Sequence, residues 1–322
     1  MSKSKIYKEI TYAELNKIVM DLYGTNTTII HHNVLKGGLF NTTYFIKTNK
    51  DENGIVVRVA PVNQHLLFEF EKDMMFAEPL FHKLLQDNNI PTTNILKNVP
   101  QGKVIEREYI ISEYLNSVPM NDPSLKDIDL QDVYEEVGYL TRNIHKITSQ
   151  KFGWKRKTGW GEYDKWSNFV LSFVKEAADK AEEHSLFCKN DIKKFRDMYN
   201  ELIDVIDEIT TPFMTHTDLW QGNVLINQSE DCGRYKVAGI IDLDRMIFGD
   251  KYWDLTNPWM INDNFLKGYS EHLPNTINHE KRCDLYKLLA GFFGVYVCLI
   301  EYDDKEWFEQ EKKNTLILLN KL

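Results

Sequence analysis

Between Gln131 and Ile147 the apolar residues Val133, Val137, Leu140, Ile144 and Ile147 recur at steps of four, three, four and three. That spacing lays one apolar stripe along a helix. Residues 163–183 and 190–209 repeat the pattern, and Asn190 is placed to cap the second. A different rhythm governs the first hundred residues. HHNVLKGGLFNTTYFIKT (31–48) carries strand-like runs on both sides of Gly37-Gly38. NKDENG (49–54) ends in Asn-Gly, a hairpin signal, and IVVRVAP (55–61) is β-branched up to its proline. Two or three antiparallel strands are predicted there. EFEKDMMFAEPLFHKLLQDNN (69–89) then reads as helical with Pro79 in its middle. A proline lacks the N–H a helix needs, so it should end the helix, kink it or start a new one. VIEREYIISEYL (104–115) returns to strand.

NSVPMNDPSLKD (116–127) carries turn residues and reads as a connection. Helices follow, interrupted over residues 213–247. There VLIN and VAGIID are short β-like runs around a turn cluster, NQSEDCGRY. The apolar run 288–300 has 13 residues and two glycines, short of a membrane span, and reads as a buried helix. The pattern predicts an α+β fold in two lobes. Residues 1–115 form a small antiparallel β-rich lobe. Residues 116–322 form a larger, mainly helical lobe with an inserted hairpin.

The 322 residues are 43% hydrophobic and 27% charged, ordinary globular composition that can bury a large core. A net charge of -9 argues against nucleic acid as a partner and leaves room for a cationic ligand. The four cysteines form no C-x-x-C pair and suit a reducing cytosol. MSKSKIYKEITYAEL lacks the apolar core of a signal peptide. A cytoplasmic protein with no membrane partner is expected. Nothing in the chain speaks to oligomeric state.

The hairpin holds the chemistry. HTDLWQGN (216–223) precedes its first strand and IIDLD (240–244) ends its second. If the strands pair, their outer ends meet, so Asp218, Asn223 and Asp242 converge. Two carboxylates and a carboxamide oxygen are hard ligands that suit Mg²⁺ better than zinc. With phosphate oxygens completing the shell, this is an arrangement for phosphoryl transfer. No G-x-x-x-x-G-K-[ST] or G-x-G-x-x-G occurs, so P-loop and Rossmann sites are unsupported.

H-x-D-x-x-x-x-N followed by I-D-x-D resembles the catalytic segment of aminoglycoside phosphotransferases and their choline-kinase-like relatives, which have a protein-kinase-like fold. The resemblance runs along most of the chain. LKGGLFNTTYFI looks like the nucleotide-covering loop, VVRVAP like the strand with the phosphate-contacting base, and YIISEYL like the hinge between lobes. FGDKYWDL resembles the family's G-D-x-x-x-D-L. The resemblance implies Asp218 as the base that orients the acceptor hydroxyl, and Asn223 and Asp242 as Mg²⁺ ligands. It implies Arg58 as the phosphate contact paired with Glu78, with Glu71 as a rival. Gly37 and Gly38 would let backbone approach phosphate. Glu113, Tyr114 and Leu115 would offer backbone groups to a purine. Arginine at 58 departs from the lysine of protein kinases and makes different phosphate contacts. Only eleven residues separate Asp242 from Asp254, too few for a peptide-binding activation segment, which favours a small-molecule acceptor.

Plainer readings stand beside these. His216 reads as a packing residue rather than a proton carrier. Asp244 is either a second metal ligand or a polar neighbour, and Arg58 could be a strand-surface charge. Asp250 and Asp254 read as caps. Residues 301–311 hold six acids and one lysine, with Asp303 and Asp304 foremost. They are either a cation-attracting wall of the acceptor pocket or a solvated helix face. Trp253, Trp259, Tyr302 and Trp307 are either a pocket for a quaternary amine or core. The expected activity is transfer of phosphate from ATP or GTP to a hydroxyl of a small cationic molecule. An aminoglycoside comes first, with antibiotic resistance as the consequence. Choline, sugar or other metabolite kinases, and an inactive nucleotide-binding pseudokinase, are the alternatives.

Overall fold

The structure is a computed structural model that describes residues 4–35, 38–157, 159–229 and 233–322, so Gly37 and Cys232 lie outside the described residues. Helix α1 (Tyr12–Tyr23) opens on a capping box in which Glu14 N donates to Thr11 Oγ1 and Thr11 N to Glu14 Oε2. Its Leu15, Ile18 and Val19 pack on one face of a sheet, against Tyr44, Ile46, Ile55, Val57 and Val59. Strands β1 (Ile29–Val34), β2 (Thr42–Thr48), β3 (Asp51–Val59), β4 (Ile95–Val99) and β5 (Tyr109–Glu113) run in the order β1-β2-β3-β5-β4, with every neighbour antiparallel.

The β2–β3 turn departs from the sequence reading. Thr48 pairs with Asp51, so the turn is Asn49-Lys50 and Asn53-Gly54 lies inside β3. Asp51 Oδ1 accepts from the amides of both Asn53 and Gly54. Gly54 has φ +89, and a Cβ there would come within 2.6 Å of the Phe45 ring. The Asn-Gly signal marks a kink under an aromatic ring rather than the hairpin tip.

Helix α2 (Met74–Asp87) follows a 3₁₀ turn at Glu71–Asp73 and runs through Pro79 without a break. The carbonyl that the proline ring leaves without a donor is that of Met75. It accepts from Asn98 Nδ2 at 3.2 Å instead. Strand β4 thereby repairs the helix that precedes it.

The second lobe carries α3 (Gln131–Ile144), α4 (Trp166–Glu183), α5 (Lys189–Glu201), α6 (Ile203–Ile206), α7 (Asp263–Tyr269), α8 (Ile277–Tyr296) and α9 (Lys305–Lys321). Its strands are β6 (Val118–Pro119), β7 (Gly153–Arg156), β8 (Gly159–Trp160), β9 (Phe213–Thr215), β10 (Val224–Gln228), β11 (Tyr235–Ile240) and β12 (Ile247–Gly249). They form two small sheets, ordered β11-β10-β6 and β8-β7-β12-β9. Cys188, not Asn190, caps α5, its Sγ accepting from Asp191 N at 3.4 Å. Asn190 lies one residue into the helix.

Aromatic stacking builds the helical core. Phe195 lies on Phe292 at 3.7 Å and Trp166 on Phe169 at 4.8 Å. Burial of each such side chain contributes about 1.5–3 kcal/mol. Helix α8 continues into a π turn, Val297–Glu301. Together they are long and apolar enough to cross a membrane by length and composition. Leu285, Leu288, Leu289 and Phe292 nevertheless pack fully buried inside this lobe.

Candidate active site

Two hairpin-like pairings bring the candidate residues to one end. Strand β9 pairs with β12, and β10 with β11. Beyond the last β10–β11 pair, Ile241 N donates to Asn223 O at 3.0 Å. The loop 216–223 therefore lies alongside 241–246, with Asp218 and Asn223 on one strand end and Asp242 and Asp244 on the other. Asn223 Nδ2 donates to Asp218 O at 2.8 Å, which fixes the loop between them and leaves its Oδ1 as acceptor.

The loop backbone is strained. Thr217 has φ 64 and Asp242 has φ 61, in the left-handed region. Such residues cost on the order of 1–3 kcal/mol each. Asp254 offsets this at Thr217. Its Oδ2 accepts from His216 N at 2.8 Å and its Oδ1 from Thr217 N at 2.6 Å. His145 Nε2 lies 3.0 Å from the same carboxylate, and Tyr269 OH holds His145 Nδ1 at 2.8 Å. Burial alone would raise the Asp254 carboxyl, but His145 and His216 carry it below its ordinary range. Asp254, read as a cap, does accept loop amides and, with His145 behind it, anchors the 216–223 loop. Asp250 does cap, accepting from Tyr252 N, and also takes the Tyr286 hydroxyl at 2.8 Å.

His216 is fully buried. Its Nδ1 accepts from Asp218 N at 3.3 Å and its Nε2 lies 3.2 Å from Ile241 O. Both ring nitrogens are thus engaged in bracing the loop against the hairpin.

Arg58, on β3, pairs with Glu78 through Nη1. Its Nη2 reaches Asp242 Oδ1 at 2.5 Å and Asp244 Oδ2 at 2.9 Å. It is only 16% exposed and is no strand-surface charge. Burial would raise Glu78, but Arg58 and His82 hold it below its ordinary range. Asp244 is pushed well above its ordinary range by burial and by Asp242, with Arg58 opposing. Asp218 is also raised, by burial first and Asp242 next, against Arg245, His216 and Asn223. Glu71 does not compete for Arg58. It accepts from Phe68 N at 2.9 Å and from Arg245 Nη2 at 3.4 Å.

At the end of β5, Glu113 N donates to Asn94 O, and Tyr114 N to Gly54 O. Among the described residues the Leu115 N–H takes no acceptor. Gly38 is exposed, in the loop before β2. That loop ends at Asn41, whose Nδ2 donates to Asp244 Oδ2 at 3.2 Å. Asn41 Oδ1 is buried and without a partner among the described residues.

The acidic segment divides. Asp304 caps α9 through Trp307 N, and Asp303 lies 3.5 Å from Lys5 Nζ. The four aromatics do not form one box. Trp253 stacks on Tyr286 in the core at 4.8 Å, and Tyr302 lies 6.0 Å from Trp307. Trp259 is 71% exposed. Trp220 packs its ring over Gly222, where a Cβ has no room.

The donor set suits a hard cation. Asn223 Oδ1, the Asp242 carboxylate and the orphaned Asn41 Oδ1 beside Asp244 are all oxygens, as Mg²⁺ requires. Among the described residues no three His, Cys, Asp or Glu are arranged to hold a metal, so a cation here needs oxygens from a bound phosphate.

Sequence reasoning overlooked Asn41, His145, Arg245 and the anchoring part of Asp254. Only Asp254 had a signal, the last aspartate of FGDKYWDL.

A search of curated proteins gives no match. Among solved structures, a thermostable mutant of the aminoglycoside phosphotransferase APH(4)-Ia is 17% identical with a TM-score of 0.71, over 95% of this chain and 98% of that one. A protein assigned as a fructosamine-3-kinase from Haemophilus somnus 129PT is 17% identical with a TM-score of 0.66, over 96% and 97%. An APH(2")-IIa complex with gentamicin is 14% identical with a TM-score of 0.65, over 96% and 97%. These likenesses establish the protein-kinase-like fold. The sequence profile of the Fructosamine kinase family matches residues 11–292. That span is most of the chain: the protein belongs to the Fructosamine kinase family and is a small-molecule kinase.

Proposed function

We propose that the chain moves the γ-phosphoryl group of ATP or GTP to a hydroxyl of a ketoamine, a sugar carrying an amine substituent. The observation that carries the transfer is the Ile241–Asn223 bond at the open end of the hairpin. It sets Asp218 near Asp242, the carboxylate that Arg58 reaches. Asp218 accepts the hydroxyl proton as the new O–P bond forms and the bond to the departing nucleoside diphosphate breaks, in line and without a phospho-enzyme. Burial keeps Asp218 a stronger base than a free aspartate. Arg58, braced by Glu78, contacts phosphate, and Gly37 and Gly38 give it backbone approach. Glu113 to Leu115 form the purine edge, with the Glu113 carbonyl as acceptor and the Leu115 N–H as donor. Asn223 and Asp242 would hold Mg²⁺, with Asp244 beside them, and that ion supplies positive charge to the transferred group. Residues 1–115 serve as the nucleotide lobe and 116–322 as the catalytic and acceptor lobe of a cytoplasmic enzyme.

The family match supports the ketoamine acceptor, and the partly exposed Trp220 ring two residues from Asp218 gives a sugar a flat apolar face. An aminoglycoside is the second reading, favoured by the APH(4)-Ia likeness and the exposed Asp303. The experiment incubates the protein and Mg²⁺ with ATP or GTP and a panel of ketoamines, aminoglycosides, choline and sugars. Products are read by mass. Phosphorylated ketoamine is expected. Phosphate on aminoglycosides alone would overturn the acceptor, and nucleotide binding without transfer to any acceptor would point to a pseudokinase.

A further inference from the structure

Arg245 follows Asp244 directly in the chain. It lies over the Phe293 ring at 5.1 Å and the Phe40 ring at 6.0 Å, and its Nη2 reaches Glu71 Oε1 at 3.4 Å. Its positive charge opposes the burial that raises Asp218. Glu71 stands in the turn before α2, in the nucleotide lobe, and its Oε2 accepts from Phe68 N. Against Glu71 lies Glu301, the last residue of the π turn that extends α8. A π turn inside a helix often marks a functional position. Three chain-distant elements thus meet around one guanidinium.

Glu301 is fully buried. Among the described residues no N–H or O–H group donates to either carboxyl oxygen. The polar group that faces it is another carboxyl, that of Glu71. Two carboxylates repel; they bond when one of them carries a proton. The backbone pins Glu301 in this place, its carbonyl accepting from Lys5 N at 2.7 Å. Other charged or titratable groups facing the pair are Lys180 and Glu176 on α4, Tyr296 on α8, Tyr302 and Arg245. Lys180 is itself engaged with Tyr296, 3.2 Å from its hydroxyl.

We infer that Glu301 and Glu71 share one proton and together seat Arg245 against Asp218, which makes Glu301 a positioning residue for phosphoryl transfer. The carboxyl left charged holds the guanidinium, and the protonated one holds that carboxylate in place. Without Glu301 the Glu71 side chain loses its support, and Arg245 loses the carboxylate that fixes its place. Burial first, and Glu71 next, push the Glu301 carboxyl up to about 10. The pair therefore keeps its proton through neutral pH and loses it in alkali, when two adjacent negative charges disrupt the seat. This inference rests on Asp218 being the base.

The test compares wild type, Glu301→Ala and Glu301→Gln. Glu301→Ala is expected to lower kcat about tenfold with little change in the nucleotide KM, as for a preorganised electrostatic contact. Glu301→Gln, which donates a hydrogen bond without a titrating proton, should recover most of that loss. It should also hold its turnover further into alkali than wild type. Wild-type kcat in the alanine variant, or no recovery with glutamine, would overturn the inference. Infrared difference spectra read the proton directly. A protonated-carboxyl band at pH 8 should be present in wild type and missing in Glu301→Gln; its absence from wild type would also overturn the inference. That reading needs no turnover. If Asp218→Asn keeps full activity, the base assignment fails while the shared proton can still be observed.

Discussion

Two mostly buried arginines flank the candidate site, and their surroundings differ. Arg58 comes from the sheet lobe and binds three carboxylates directly, those of Glu78, Asp242 and Asp244. Arg245 comes from the loop that ends the hairpin, and its carboxyl partner Glu71 is backed by Glu301. In the proposed reaction Arg58 meets the phosphate oxygens, so its carboxylate partners would trade places with substrate. Arg245 has two aromatic rings over it, and its charge acts on both Asp218 and Asp244. In the proposed reaction one cation would serve the transferred group and the other the base.

Removing Arg58 should separate the two most sharply. Arg58→Ala is expected to lower kcat/KM for nucleotide by about 10²–10³, the scale of one lost transition-state contact. It also leaves Glu78 buried with His82 as its remaining partner, and denaturant melts should show a loss of about 3 kcal/mol. Arg58→Lys should restore charge but not the forked contact, so activity stays well below wild type. A kcat/KM within twofold of wild type in the alanine variant would erase the distinction.

Asp254 supports the loop that both arginines address. Asp254→Asn should cost about 3 kcal/mol in urea unfolding, because a buried acceptor of two amides and His145 loses its charge. The sign with pH follows from its depressed carboxyl. Its contribution is complete above the unfolded-state range and is lost as pH falls through the lower folded value. The asparagine variant should therefore show a flatter acid side, and an unchanged one would remove Asp254 from the account. The smallest effect is expected away from both arginines. Asn98→Ala leaves the Met75 carbonyl without its donor and should cost about 1 kcal/mol by thermal melting, with kcat unchanged.

The contrast between the two arginines also marks what the sequence could tell. The ordered set of Arg58, Glu78, Asp218, Asn223 and Asp242 was legible because each sits inside a local motif with its own spacing. Helical stripes such as that of α3 were legible for the same reason. The Arg245 seat was not, because Glu71 and Glu301 are brought together by tertiary packing with no local signature. Asn98 rescuing a helix through Pro79 is a case of the same kind. Helix α1 was overlooked although Thr11-x-x-Glu14 was there to read, whereas ILKNV (95–99) has no clean alternation to mark β4. The Asn-Gly pair misled because Asp51, two residues earlier, claimed its amides.

The central claim is that Asp218 takes the acceptor proton. It is tested most directly by kcat of Asp218→Asn at saturating Mg²⁺-nucleotide and acceptor, measured with the nucleotide Kd on the same preparation. The account predicts a fall in kcat of about 10²–10⁴ with a Kd close to wild type. It also predicts that the wild-type acid limb lies above that of a free aspartate, since burial raises Asp218. Turnover in the asparagine variant within a few-fold of wild type would contradict it.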